Sequence, residues 1–285
     1  MRLAVSFLAV LNRHAAPLLA VALFVGLALP DLARPLKPLI APSILLLLTS
    51  SMLRIDWRRT LTYASRPGHA LLVLVWIMVI CPFLIWAVVK VLGPPLGLAN
   101  GLVLVASCAV LTAVPTYALI LRVDAPLSLV VTVAAQLLQP VLQPPIALAL
   151  LGIELEISAL ALMGRLALMI GGAFAFAIVL RAIAGPERIA KASAPIGGVA
   201  VLMMLIFAVA IMDGVQQTLI ARPGYVLLFI AAALGVNFGL QAVSILVFAG
   251  LSRLGVIGWN QSLTAALAAG NRNVGILVAV LGAAA

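Results

Sequence analysis

Charge is scarce in these 285 residues: only 8% are Asp, Glu, Lys or Arg, while 66% are aliphatic, aromatic or cysteine. A chain of that makeup cannot cover a water-facing surface, which excludes the soluble classes. Acids are scarcer still. The seven of them, Asp31, Asp56, Asp124, Glu154, Glu156, Glu187 and Asp213, all stand at or beyond the ends of apolar runs. No carboxylate is left for the middle of a membrane, and the two histidines, His14 and His69, also lie near run ends. A proton relay, a general acid/base pair or a metal cluster in the bilayer has no residues to build it, so neither an enzyme nor a cofactor is expected. The two cysteines, Cys81 and Cys108, sit inside apolar runs, which argues for packing thiols against a disulfide framework or a zinc site. The basic excess, 17 Lys and Arg, has no face with aromatic interleaving, and nucleic acid is not expected as a partner.

What the sequence has is apolar runs. A helix crossing the hydrocarbon takes about 20 residues. Reading Pro, Gly and charge clusters as breaks gives nine predicted spans in an all-α polytopic membrane protein, near 15–30, 39–53, 69–92, 97–121, 126–151, 159–183, 195–213, 225–251 and 259–285. Leu3 to Leu11 behind Arg2 mimics a signal peptide, but Asn12, Arg13 and His14 follow where small cleavage-site residues belong, so the stretch reads as a retained amphipathic lead-in.

Basic residues give the orientation. With alternating sides, eleven (Arg2, Arg13, Arg54, Arg58, Arg59, Arg66, Arg122, Arg181, Arg188, Lys191 and Arg253) fall on one side and four (Arg34, Lys37, Lys90 and Arg222) on the other. That bias puts the N-terminus in the cytoplasm of a protein integral to the plasma (inner) membrane. Nine spans leave the last end facing outward at Ala283, Ala284 and Ala285 without a basic anchor, and a tenth span is left open.

Inside the runs the polar residues are uncharged and patterned. Thr132, Gln136, Gln139 and Gln143 follow i, i+4, i+7, i+11 spacing on one face of the fifth span. Amides facing lipid are costly, so this face turns to a water-filled path or glues helices together. Pro140, Pro144 and Pro145 read as breaks in the same helix. Two more runs look interrupted. Pro115 follows some fifteen apolar residues in the fourth, and Gly270-Asn271-Arg272-Asn273 divides the last. Broken helices at matching places in two halves point to a transporter site. An arginine at mid-membrane costs roughly 2.5–3.5 kcal/mol, so something compensates Arg272. One reading has it near the positive end of the last half-helix, attracting an anionic group; the other has it snorkelling or bonded to freed carbonyls of the fourth span as a pin. Arg165, about two turns inside its span, reads as snorkelling.

These residues resemble the bile acid:sodium symporter family over most of the chain. The likeness rests on Leu53 to Pro67, Pro82, Cys108 to Pro144 with Thr112-Ala113, Arg122, Leu127-Ser128, Thr132, Pro140 and Pro144 in place, then Glu156-Ile157 to Gly185, Asn237 and the Asn273-x-Gly275 turn. It implies two inverted five-helix repeats, here 1–152 and 153–285, with the fourth and ninth helices broken and crossing near the substrate. It also implies sodium ligands, and several are lost. The family's Ser-Asn pair falls at Val114-Pro115, its Glu at Ala268, its Gln of the same motif at Arg272, and a third-helix Gln at Ile77. Ser128 and Thr132 remain as residual sodium-site positions, and two hydroxyls do not hold an ion.

The expectation is a secondary-active transporter that moves a small organic anion by alternating access without sodium, with Arg272 as the fixed charge. Its cavity residues are Thr112, Gln136, Gln139, Asn237, Asn271 and Asn273, and its helix breaks lie at Pro115 and Gly270. The partners are the lipid bilayer and the anionic solute, with sodium left open. Two alternatives stand beside it: sodium symport through backbone carbonyls with Ser128, Thr132 and Asn271, and a transport-inactive structural protein whose Arg272 plugs the cavity. The family's kinship with arsenite-efflux permeases draws attention to Cys108, but Ala268 removes the carboxylate that chemistry would use.

Overall fold

A computed structural model describes residues 2–55, 67–151 and 158–282. Asp56, Arg58, Arg59, Arg66, Glu154, Glu156 and the Ala283–Ala285 end lie outside them. The described residues are helical: α1 Arg2–Arg13, α2 Ala15–Ala28, α3 Pro30–Leu53, α4 Gly68–Leu92, α5 Leu96–Ser107, α6 Val114–Ile120, α7 Ala125–Leu151, α8 Ala159–Ala184, α9 Pro186–Lys191, α10 Ser193–Ala210, α11 Val215–Ala221, α12 Pro223–Arg253, α13 Trp259–Gly270 and α14 Val274–Gly282. The stops have local causes. Pro30 opens α3 at its first turn, where a missing N–H costs nothing. Gly93, at φ 57°, closes α4 in the left-handed conformation. The Asp124 carboxylate accepts from the Leu127 N–H at 2.9 Å and caps the start of α7.

The nine-span expectation does not hold. Among the described residues six helical runs are long and apolar enough to cross a membrane, namely α3, α4, α7, α8, α10 with α11, and α12. A seventh arises only if α1 and α2, bent by 83°, count as one. The shortfall of three lies in α2, with 14 residues, and in the two interrupted runs, where none of α5, α6, α13 and α14 alone is as long as the hydrocarbon thickness requires. Among the described residues no clear two-fold inverted five-helix repeat is evident either. Hydropathy counts apolar residues whether or not the backbone stays helical, and at Cys108–Ala113 and Asn271–Asn273 it does not. The reverse error occurs in α7, which runs unbroken through Pro140, Pro144 and Pro145. A proline removes one rung, and a packed membrane helix tolerates the loss where neighbours satisfy the freed group.

The chain divides into two compact units. The first, residues 1–55, 167–226 and 278–285, is built around α10, which packs on α1, α2 and α3. Small residues set the closeness, as expected where lipid offers no hydrophobic drive. A Cβ on Gly198 would fall on the Leu8 backbone carbonyl, and one on Gly26 would stand 2.7 Å from the Val209 carbonyl oxygen. Gly198→Val is therefore expected to force α1 off α10 and cost about 1–3 kcal/mol. Gly164→Val, facing open space, is the control in thermal unfolding, and equal losses in the two would refute the close-approach argument. The Arg181 guanidinium donates to the Leu53 and Ile55 carbonyls, both at 3.0 Å, and so closes the end of α3. Lys37 pairs with Asp213 at 3.6 Å in the same unit.

The second unit, residues 56–166 and 227–277, packs α4, α5, α7 and α13 around Val73, Ile77, Cys81, Val103, Leu127, Val131 and Ala268. Trp76 stands edge-on to Phe248, with centroids 5.7 Å apart, and its indole N–H donates to Ser244 Oγ at 2.7 Å. Large apolar side chains such as Phe83, Leu160, Leu168, Leu227, Phe238 and Leu246 are exposed. On long apolar helices such a surface is lipid-facing, and the protein is integral to a membrane.

Candidate functional site

The two interruptions meet. Cys108 leaves α5 in extended backbone and Asn271 leaves α13 likewise. There Val110 and Arg272 form an antiparallel bridge: the Leu111 N–H donates to the Asn271 carbonyl at 2.9 Å and the Asn273 N–H to the Ala109 carbonyl at 2.7 Å. Backbone that has lost its helix must find partners in hydrocarbon, and each break supplies them to the other. Pro115 is in the first turn of α6, so it starts the second half-helix where its missing N–H costs no bond.

Helix ends leave unpaired carbonyls, and the side chains of the second break answer them. Asn271 Nδ2 donates to Leu267 O at 2.8 Å, Arg272 Nε to Ala269 O at 2.8 Å, and Asn237 Nδ2, from α12, to Gly270 O at 2.9 Å. Gln241 Nε2 in turn donates to Asn237 Oδ1 at 2.8 Å and fixes which way that amide faces.

The guanidinium of Arg272, 8% exposed, also reaches two other helices. One terminal nitrogen donates to Cys108 O at 3.2 Å and to Ile77 O at 3.0 Å. Ile77 is able to accept because of a local irregularity. It lies in a π-helical turn, Trp76–Ile80, in which the Cys81 N–H goes back to Trp76 O. The next residue, Pro82, has no N–H to give. The Ile77 carbonyl is thereby left without the donor a regular helix would supply. Ala269 and Cys108 stand at the carboxyl ends of α13 and α5, where helix dipoles concentrate negative potential. The arrangement is a cradle of three carbonyls for one positive charge. The other terminal nitrogen, Nη2, is buried and has no hydrogen-bond partner among the described residues.

The remaining expected residues fall into three places. Asn273 is buried at the bridge, and Thr112 is half-buried in the first break. Ser128, fully buried, donates to Ala125 O at 2.8 Å, while Thr132 Oγ1, one turn on, has no partner among the described residues. Gln136 and Gln139 are buried on the same face of α7. Gln139 connects towards the crossing through Gln143: Gln139 Nε2 donates to Gln143 Oε1 at 2.6 Å, and Gln143 Nε2 donates to Cys108 Sγ at 3.3 Å. Arg165 is exposed. The contributions missed at the level of sequence are the Ile77 carbonyl and Gln241; carbonyls freed in the fourth run were one of the two readings of Arg272, and Cys108 O, in that break, is the one it reaches. Gln241 had a signal, since it stands one helical turn after Asn237.

No curated protein matches this chain. The model of the Sodium Bile acid symporter family matches residues 41–222, well over half of it, taking in the first break and ending before the second. The chain therefore belongs to the sodium bile acid symporter family, whose members are transporters and not enzymes.

Proposed function

We propose that this protein is a secondary-active transporter that moves a small organic anion by alternating access, without sodium coupling, and that Arg272 stands in for the mobile cation. The observation that carries the reading is the carbonyl cradle, in which the Arg272 guanidinium binds Ala269 O, Ile77 O and Cys108 O. Carbonyl oxygens at helix ends are a setting for a cation, and here a tethered one occupies it. Ile77 and Arg272 are two positions at which the family resemblance implies sodium ligands, and a hydrogen bond of 3.0 Å joins them. The anionic class of solute follows from a positive charge with an unspent N–H group at Nη2 and no acid among its bonded partners. Thr112, Gln136, Gln139, Asn237, Asn271 and Asn273 are the proposed solute-facing polar groups.

The N-terminus is proposed to be cytoplasmic in an inner or plasma membrane. Two contacts support the alternation of sides: Arg181 reaches Leu53 and Ile55 at one assigned side, and Lys37 reaches Asp213 at the other.

The test is thermal unfolding of purified protein with potassium exchanged for sodium at constant ionic strength. Sodium is expected to leave the wild type unchanged and to stabilise Arg272→Glu, because a ligand that binds the folded state raises its apparent stability. Stabilisation of the wild type by sodium would restore symport. Sodium-driven uptake that is lost in Asn271→Ala would do the same. The cradle also favours the inactive reading, with Arg272 as a plug; uptake of an anionic solute into proteoliposomes, abolished in Arg272→Gln, excludes it.

A further inference from the structure

Four polar atoms on one face of α7 have no hydrogen-bond partner among the described residues: Thr132 Oγ1, both amide atoms of Gln136, and Gln139 Oε1. Their residues are 2%, 0% and 0% exposed. Folded proteins pair roughly 90% or more of such buried groups, so an unpaired row in register calls for an occupant. At i, i+4 and i+7 the three side chains are neighbours, with Cβ atoms about 5–6 Å apart.

The chemistry of the row restricts what fills it. The Gln136 amide nitrogen only donates, the two amide oxygens only accept, and the Thr132 hydroxyl does either. A bare metal cation would satisfy the oxygens and leave the amide N–H groups unpaired; an anion would do the reverse. Exchanging the oxygen and nitrogen of Gln136 changes nothing, since one donor and one acceptor remain. The occupant must both give and take hydrogen bonds. Water does so with two to four partners, and two hydrogen bonds in series, each about 2.8 Å, suit the spacing between neighbouring side chains.

We propose that the Thr132–Gln136–Gln139 face of α7 is a binding site for ordered water, a short file bridging the hydroxyl to the two amides. Its inner end joins the crossing through Gln143 and Cys108, whose carbonyl holds Arg272. The site stands whether or not the chain transports an anion; if it does, Gln136 and Gln139 face that solute through the water and not directly.

Substitution gives opposite signs for a wet and a dry row. If water is bound, Gln136→Met removes its ligands and is expected to lower the melting temperature of the intact protein by about 2–4 °C. Thr132→Val should do likewise, and the double variant should fall short of the sum because the two residues share a bridging water. A rise in melting temperature for Gln136→Met would overturn the proposal, because removing a dry unpaired amide relieves a cost. Sodium-dependent stabilisation of the wild type that Gln136→Met abolishes would overturn it in favour of a cation. Radiolytic hydroxyl labelling of the wild type keeps the test open should the variants fail to fold. Modification within 132–143 is expected, and its absence there, with labelling elsewhere in the chain, counts against bound water.

Discussion

Arg272→Met is expected to lower the stability of the folded protein by about 3 kcal/mol, since three buried carbonyls lose their donor at about 1–3 kcal/mol each and removing a desolvated charge offsets part of that. Methionine keeps the length of the side chain, so the loss reports hydrogen bonding more than volume. The carbonyls at risk belong to Ala269, Ile77 and Cys108, on three different helices, and none has a ready substitute. Ile77 O has been stripped of its helical donor by the π turn and Pro82, while the other two stand at helix ends. In thermal unfolding followed by tryptophan fluorescence the expected drop is roughly 5–10 °C. Arg272→Lys should fall between, because an ammonium is one point and cannot present separate nitrogens to Ala269 O and to the Ile77–Cys108 pair. An unchanged melting temperature in the methionine variant would mean that the cradle contributes nothing, and the fixed-cation reading would go with it.

Gly270→Ala is the second large effect. A Cβ there would stand 2.5 Å from the Asn237 carbonyl oxygen and 2.6 Å and 2.7 Å from Gln241 Cγ and Nε2. Gln241 has a flexible side chain and can swing away; the Asn237 carbonyl belongs to the backbone of α12 and cannot. The last residue of α13 must then separate from α12, and the bond from Asn237 Nδ2 to Gly270 O is lost with the contact. A loss of about 2–3 kcal/mol is expected, at the upper end of overpacking costs. Adding Gln241→Ala tells the two clashes apart. If the backbone contact dominates, the double variant recovers little; full recovery would place the conflict in the glutamine alone.

Composition and periodicity read some of this directly. That the chain lies in a membrane followed from its shortage of charge, and that two runs were interrupted followed from Pro115 and from Asn271-Arg272-Asn273. The number of spans did not follow, because hydropathy is blind to backbone continuity. It counted α5 with α6 and α13 with α14 as whole spans, and it was the prolines that were misread as breaks in α7, which absorbs them. The site was legible as a residue and not as a geometry. Arg272 announced itself by its cost in hydrocarbon, and carbonyls freed in the interrupted fourth run were one reading of its partners, but which carbonyls it reaches is a matter of geometry that no residue type signals. Ile77 is an ordinary isoleucine in sequence, and only the π turn before Pro82 turns it into an acceptor. The amide row of α7 was visible as a helical face, though its unpaired state depends on how neighbouring helices close over it.

The bridge between the two breaks is made of main-chain groups, the Leu111 N–H to Asn271 O and the Asn273 N–H to Ala109 O. Such a join is indifferent to the identity of the side chains along it, so substitutions at Val110, Leu111 or Asn271 can accumulate without parting the two segments. Only an exchange that deletes a donor, such as Leu111→Pro, cuts the join itself. A scaffold of this kind can lose one set of coordinating side chains and acquire another while its topology is inherited unchanged.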